Sequence, residues 1–354
     1  MTDRLHTRIC DLFGVRLPIV QTGMGWVAGA RLTAATSAAG GLGILAAATM
    51  TVEQLEAQIK EVKVRTDKPF GVNLRGDQPD IGVRLKLLET HGVKVASFAM
   101  APGRDSIERL KDAGIVTMPT VGARRHAEKV AEWGVDAVIA QGAEGGGHTG
   151  TVPTTLLLPA VVDAVGGSIP VLGAGGFKDG RGLVAALALG ADGIAMGTRF
   201  LLTQESTVPD SVKQAYLKTP VTGTVVTRAV DGHPQRVVRT AFIDKLEKAG
   251  FLGALTAAVG HAMALKQLTG TTLGALLKEG RAMHRIGGLT WPQVAMAANA
   301  PMYTRAALVD GLLDAGVLPT GQVVGSIDSL PTVAELLAEI TAEALATLTR
   351  LEAT

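Results

Sequence analysis

The stretch PVLGAGGFKDGRGLVAALALGADGIAMGTRF, Pro170 to Phe200, holds one full repeat of the pattern that organises this chain. An apolar run ends in glycines, a helical segment rich in Ala and Leu follows, and a second apolar run ends in glycine again. The two runs, IPVLGA (Ile169 to Ala174) and DGIAMG (Asp192 to Gly197), are apolar on both faces. A parallel strand covered by helices needs that composition. Between the runs, Asp179 and Arg181 suit a helix cap and a surface pair rather than catalysis.

Working outward, the same repeat begins at Leu17. Its earlier apolar runs are LPIVQ (Leu17 to Gln21), LGILA (Leu42 to Ala46), FGVNL (Phe70 to Leu74), VKVASFA (Val93 to Ala99), IVTMPTV (Ile115 to Val121) and VDAVIAQ (Val135 to Gln141). Helical signatures lie between them. Thr51 is placed to cap a helix with Glu53 in its first turn. RLKDAG (Arg109 to Gly114) and AEKVAEWG (Ala127 to Gly134) each stop at glycine. Eight strands, each followed by a helix, predict an α/β fold of the (β/α)8 TIM-barrel type over residues 1–203. A doubly wound open sheet usually has fewer strands and a glycine-rich turn after the first. Here the glycines cluster after the sixth, seventh and eighth runs.

Composition narrows the function. The 34 Lys and Arg against 32 Asp and Glu leave a formal charge of +2, which favours neither nucleic acid nor a membrane as partner. Aromatics make up 3% of residues, too few for base-stacking platforms. The single cysteine, Cys10, has no partner for a disulfide and reads as a small core residue. Charges run through MTDRLHTRICDLFG where a signal peptide would be apolar. No stretch of roughly 18 residues is apolar throughout, so no membrane span is expected. A cytoplasmic protein is the simplest expectation.

From Gln204 to Ala300 the pattern changes to helices, with no comparable strand-like run. Between Ser211 and Trp291 eleven Lys and Arg face four acids. Residues 204–300 therefore read as a mainly helical, basic insertion after the eighth strand. It is either a solvated face or a lid that attracts an anionic substrate. Residues 301–354 read as a return segment ending in an amphipathic helix, Thr332 to Glu352, packed on the barrel.

The candidate chemistry gathers at the strand ends. GAGG (Gly173 to Gly176) and MGTR (Met196 to Arg199) end the last two strands, the usual place for a phosphate in such barrels. AQGAEGGGHTG (Ala140 to Gly150) follows the sixth strand. His148 there is a proton donor or acceptor near neutral pH, and Gly145, Gly146 and Gly147 allow close approach to a planar ligand. Glu144 suits a solvated turn equally well. Asn73 and Gln141 end strands with amides that match the donor and acceptor edge of a flavin. Met24, in QTGMGW, offers a soft sulfur to a ring or to the barrel rim. The other histidines, His6, His91, His126, His233, His261 and His284, show no ligand spacing, and no metal site is expected.

LPIVQTGMGWV, SAAGGLG, PFGVNL, AEGGGHTG, the Pro170–Phe200 stretch and TGQVVG (Thr320 to Gly325) together resemble the nitronate monooxygenase, or 2-nitropropane dioxygenase, superfamily. That group of FMN-dependent barrels also includes flavin enoyl-thioester reductases and quinone reductases. The resemblance implies FMN at the barrel mouth, with Gly23, Met24, Asn73, Gln141, Gly146 and Gly147 around the ring and ribityl chain. Gly175, Gly176, Gly197 and Thr198 would hold the phosphate, Gln322 would close the site, and His148 matches the active-site histidine. After the third strand the chain reads NLRGDQPD (Asn73 to Asp80), unlike the apolar, proline-containing run of the nitronate and quinone branches. QTGMGWVAGARL, TTLLLP and the long tail after TVPD instead resemble an actinobacterial branch serving steroid catabolism. That branch oxidises a hydroxylated methyl-oxo-octahydro-indene-carboxyl-CoA, a CoA thioester whose phosphates a basic insertion would attract. Nitronate oxidation with O2, NAD(P)H-dependent enoyl-thioester or quinone reduction, and a non-catalytic FMN-binding barrel stay open beside it. The sequence permits a homodimer without requiring one.

Overall fold

The apolar runs pair with one another in the order in which they occur. In the computed structural model, which describes residues 2–248 and 291–353, they form eight strands closed into a parallel barrel. These are β1 (Ile19–Gln21), β2 (Leu42–Ala46), β3 (Phe70–Leu74), β4 (Val95–Phe98), β5 (Val116–Val121) and β6 (Val138–Gln141). After a two-residue strand outside the barrel, β7 (Gly147–His148), the barrel continues with β8 (Val171–Ala174) and β9 (Gly193–Met196). Closure is made by β1, which sets Val20 opposite Leu42 of β2 and opposite Ala195 of β9. The expected TIM barrel is the fold observed.

Alternation along each strand explains why the runs are apolar throughout. Leu42 and Ile44 of β2 join Val20, Val95, Met118, Ile139 and Leu172 in one buried cluster. Leu45 of the same strand faces a second cluster with Leu55, Ile59 and Val62 of the helix Val52–Arg65 and with Phe98. One face fills the barrel and the other seats helices, so a polar residue on either would lose about 1.5–3 kcal/mol of burial. Ile9, Cys10 and Phe13 of the helix Arg8–Phe13 belong to the first cluster, and burial pushes the Cys10 thiol pKa up. The Arg8 guanidinium meets the Asp192 carboxylate with two bonds of 2.8 Å and ties that helix to the strand β9 approach.

Local signals operate as the sequence predicts. Thr51 caps Val52–Arg65 in a capping box: its hydroxyl accepts from Gln54 N at 3.2 Å, and Gln54 Oε1 accepts from Thr51 N at 3.0 Å. Gly114 and Gly134 follow their helices at φ +71° and +86°. Asp179 accepts from Gly182 N at 3.0 Å and pairs with Arg181, capping the helix Gly180–Ala188. The last helix, Val333–Glu352, packs on that one: Glu343 accepts from Gly180 N at 2.8 Å, and a Cβ at Gly180 would overlap the Ala344 backbone.

Internal contacts divide the chain into two units. The barrel unit comprises Met1–Gly145, Thr149–Thr207 and Ile327–Thr354, and the second unit comprises Gly146–His148 and Val208–Ser326. The second unit contains an antiparallel sheet in the order β10 (Thr224–Thr227), β11 (Gln235–Val238), β7. Two of these strands lie where the sequence pattern was expected to give helices only, which corrects that expectation. TVVT is partly exposed and QRVV carries Gln235 and Arg236, so neither has the both-face apolar signature of the barrel strands. Their sheet covers a cluster of Val230, Val237, Ile243, Tyr303 and Val317, in which the Phe242 and Tyr303 rings meet edge-on at 5.2 Å. Of the basic residues counted there, Lys213 is buried, Arg239 pairs with Asp244 at 3.1 Å, and Lys266, Lys278, Arg281 and Arg285 lie outside the described residues. Among the described residues no helix is long and apolar enough to cross a membrane.

Candidate active site

Because the barrel strands are parallel, Gln21, Asn73, Gln141, Ala174 and Met196 end at one mouth, and the loops that follow carry the expected glycines. Gly175 and Gly176 come directly after β8 at φ +100° and +85°. A Cβ on Gly175 would also lie 3.0 Å from Thr154 Oγ1 and 3.1 Å from both Gly142 O and Gly145 N. Only glycine satisfies both the backbone angle and the space. Gly197 follows β9, and a Cβ there would meet Met24 Sδ and Thr22 Oγ1 at 3.3 Å. Thr198 beside it is buried. A side chain at Gly175 or Gly197 would crowd its neighbours, and bare backbone at both strand ends fits a phosphate held by N–H groups.

The rest of the mouth is packed with comparable closeness. A Cβ on Gly23 would overlap the Asn73 side chain, so the loop after β1 lies against the end of β3. Asn73 is half-buried and donates from Nδ2 to Ser97 Oγ at 3.2 Å. Trp26 in the same loop holds φ +65°, a sparsely populated angle for a bulky residue. Gln141 is half-buried, with its amide 2.8 Å from where a Gly145 Cβ would stand. Glu144, which sequence alone left as a turn residue, has a structural use. Its Oε2 accepts from Thr154 N at 2.9 Å and from Thr154 Oγ1 at 2.7 Å, holding the loop after β6 to the start of the helix Thr154–Val165. Thr154 Oγ1 also stands 3.0 Å from the Gly175 carbonyl oxygen.

The remaining expected residues, Gly146, Gly147, His148 and Gln322, fall in the second unit. A Cβ on Gly146 would overlap the backbone of Thr320 and Gly321, which places Gly146 directly against the start of the turn Gln322–Ser326. Gly147 takes φ +65°, and β7 then pairs with β11, His148 opposite Gln235 and Gly147 opposite Arg236. The His148 side chain is 65% exposed, and its Nε2 lies 2.6 Å from Oδ2 of Asp231, whose side chain is 9% exposed. Burial pushes the Asp231 carboxyl pKa up. The hydrogen bond and charge of His148, with bonds from His233 N and the Gln235 amide, outweigh it and leave the pKa below its ordinary value. The His233 ring stands edge-on to His148 at 6.1 Å. Asp231 and Gln235 were not identified from sequence. The only signal was DGHPQ (Asp231 to Gln235), a polar turn between two β-branched runs.

A glycine cradle and strand-end amides at the mouth of a (β/α)8 barrel, and an Asp-held histidine following the sixth barrel strand in sequence, are the features that known proteins can be compared with. A family model described as "Nitronate monooxygenase" matches residues 6–86 and 80–343. The chain belongs to the nitronate monooxygenase family. It is a flavin-dependent oxidoreductase. Within the family, the chain is 56% identical over 343 residues, 97% of both chains, to a protein of Mycobacterium tuberculosis named (3aS,4S,5R,7aS)-5-hydroxy-7a-methyl-1-oxo-octahydro-1H-indene-4-carboxyl-CoA dehydrogenase. It is 57% identical to a Rhodococcus jostii protein of the same name over 341 residues, 96% of both chains. A probable nitronate monooxygenase of Staphylococcus saprophyticus is 34% identical over 69% of this chain and 82% of its own. Among solved structures, FabK of Thermotoga maritima superposes with a TM-score of 0.81 at 34% identity, covering 98% of this chain and 99% of its own.

Proposed function

We propose that this nitronate monooxygenase family member is an FMN-dependent dehydrogenase of a bulky, hydroxylated bicyclic acyl-CoA of the octahydro-indene-carboxyl type. The observation that carries the reading is identity of 56–57% across 96–97% of the length of two proteins named for that reaction. Relatives named as probable nitronate monooxygenases reach 31–34% over 68–69% of the chain. The loop after β3 supports the same choice, since it carries Arg75, Asp77 and Asp80 rather than an apolar run.

The barrel unit fits the cofactor. Gly175, Gly176, Gly197 and Thr198 would hold its phosphate, with Gly23, Met24, Asn73 and Gln141 beside the ring and ribityl chain. Sequence resemblance assigns Gly146, Gly147 and Gln322 to the same site. Bound FMN would supply an acceptor for a hydride and its electron pair. His148 takes the accompanying proton from the substrate, or holds the oxygen that loses it. The excess of cationic residues in the sequence from Lys218 to Arg285 would favour an anionic CoA ester, so KM should rise with ionic strength while kcat changes less.

An anaerobic titration followed by flavin absorbance separates the readings. Bleaching by the indene-type CoA thioester, with no response to an alkyl nitronate, is the expected result. Bleaching or semiquinone formation by the nitronate alone would overturn the substrate and leave a nitronate monooxygenase.

A further inference from the structure

Strand pairing fixes the backbone of His148 but leaves the ring to be oriented by its side-chain partners. Opposite it, Asp231 is held from three directions. Its Oδ1 accepts from His233 N at 3.0 Å, and its Oδ2 accepts from the Gln235 amide nitrogen at 2.5 Å and faces His148 Nε2 at 2.6 Å. A buried carboxylate kept ionised by these donors can only accept. The hydrogen between it and His148 must therefore sit on the imidazole. The Gln235 amide nitrogen also lies 3.2 Å from Nε2. Turning that amide over would set its oxygen against the carboxylate, so the nitrogen faces Asp231 and the amide supplies no acceptor to the ring.

We propose that Asp231 is the positioning residue of His148, fixing the ring as its Nε2–H tautomer so that the proton exchanged with substrate is carried by Nδ1. The inference rests on the acid–base reading of His148 given above. A neutral imidazole with hydrogen on Nε2 has its lone pair on Nδ1, so an incoming proton lands there. Dehydrogenation breaks two bonds to hydrogen on adjacent substrate atoms and forms one π bond. The hydride, with its electron pair, goes to the flavin, and the proton goes to His148 Nδ1. The imidazolium formed then stands against the Asp231 carboxylate through Nε2–H, which stabilises the positive charge as it develops. Gln235 and the His233 amide keep the carboxylate oriented for that contact.

The test is 15N NMR of the histidine-labelled holoenzyme, with the His148 signals assigned by their loss in His148→Ala. The wild-type ring, observed where it is neutral, should be the Nε2–H tautomer. In Asp231→Asn the carboxamide can accept or donate, so an Nδ1–H population should appear. The same variant should lose roughly 10²-fold in kcat with KM for the thioester changed by less than about threefold, and it should retain its flavin. A wild-type Nδ1–H ring, or unchanged His148 signals in Asp231→Asn, overturns the role of Asp231 while leaving the acid–base reading intact. Full turnover by His148→Ala overturns that reading and, with it, any catalytic purpose for the pair. The wild-type spectrum decides the tautomer even if Asp231→Asn fails to fold.

Discussion

Glu144 in the barrel unit and Asp231 in the second unit are both carboxylates tied to the segment from Ala143 to Gly150, and their donors give them different uses. Glu144 takes a backbone N–H and a hydroxyl from Thr154, at 2.9 and 2.7 Å. Neither donor changes charge near neutral pH, so Glu144 can hold a loop and do little else. Asp231 takes a backbone N–H, an amide and an imidazole, at 3.0, 2.5 and 2.6 Å. An imidazole can carry a transferable proton, which those donors do not, so the same kind of acceptor can orient an acid–base group. A carboxylate's identity says little about its role; the chemistry of the donors it binds decides it.

The comparison can be broken most decisively at the histidine. His148→Ala should cost about 10²–10⁴-fold in kcat, measured anaerobically by the rate of thioester-driven flavin bleaching. Glu144→Ala should instead appear as stability, about 1–3 kcal/mol from the donors it leaves on Thr154, read as a lower unfolding midpoint in denaturant. If Glu144→Ala lowered kcat more than Asp231→Asn, the division between holding and proton handling would be wrong. Gly175→Ala strains the loop after β8 through its φ of +100° and its three close neighbours. It should cost roughly 1–3 kcal/mol and lower the flavin retained on purification.

Acid sharpens the contrast further. The Asp231 pKa is below its unfolded value, so its contribution is fully present above the ordinary carboxylate pKa of about 3.9 and is lost as pH falls through the depressed folded value. The difference in Tm between wild type and Asp231→Asn should shrink as pH falls below about 4. A difference that grew over that range would contradict the direction of the shift. Thr51→Ala should cost only about 1 kcal/mol by removing a helix cap, with the flavin spectrum unchanged.

Much of the barrel was legible from the chain alone because its signals are local. A run such as LGILA must be apolar on both faces, and GAGG must be glycine where φ is positive and a Cβ would strike Thr154. The strand starts were overestimated by up to three residues: VDAVIAQ opens with Val135, whereas β6 begins at Val138. Asp136 explains part of this, since its carboxylate accepts from Thr117 N and Oγ1 at 2.8 Å and anchors the approach to the strand. Glu144 was visible as a residue but not as a hydrogen-bonding anchor, because its partner is ten positions away across a turn.

By itself the sequence determined the eight-stranded barrel, the glycines at its mouth and the histidine that follows its sixth strand, since each depends on a residue type at a fixed local spacing. Only the tertiary structure decided that TVVT and QRVV are strands, that β7 joins them, and that Asp231 reaches His148 across 83 positions. Four-residue strands with polar positions carry little periodicity, and a contact between distant residues leaves no mark on the sequence near either one.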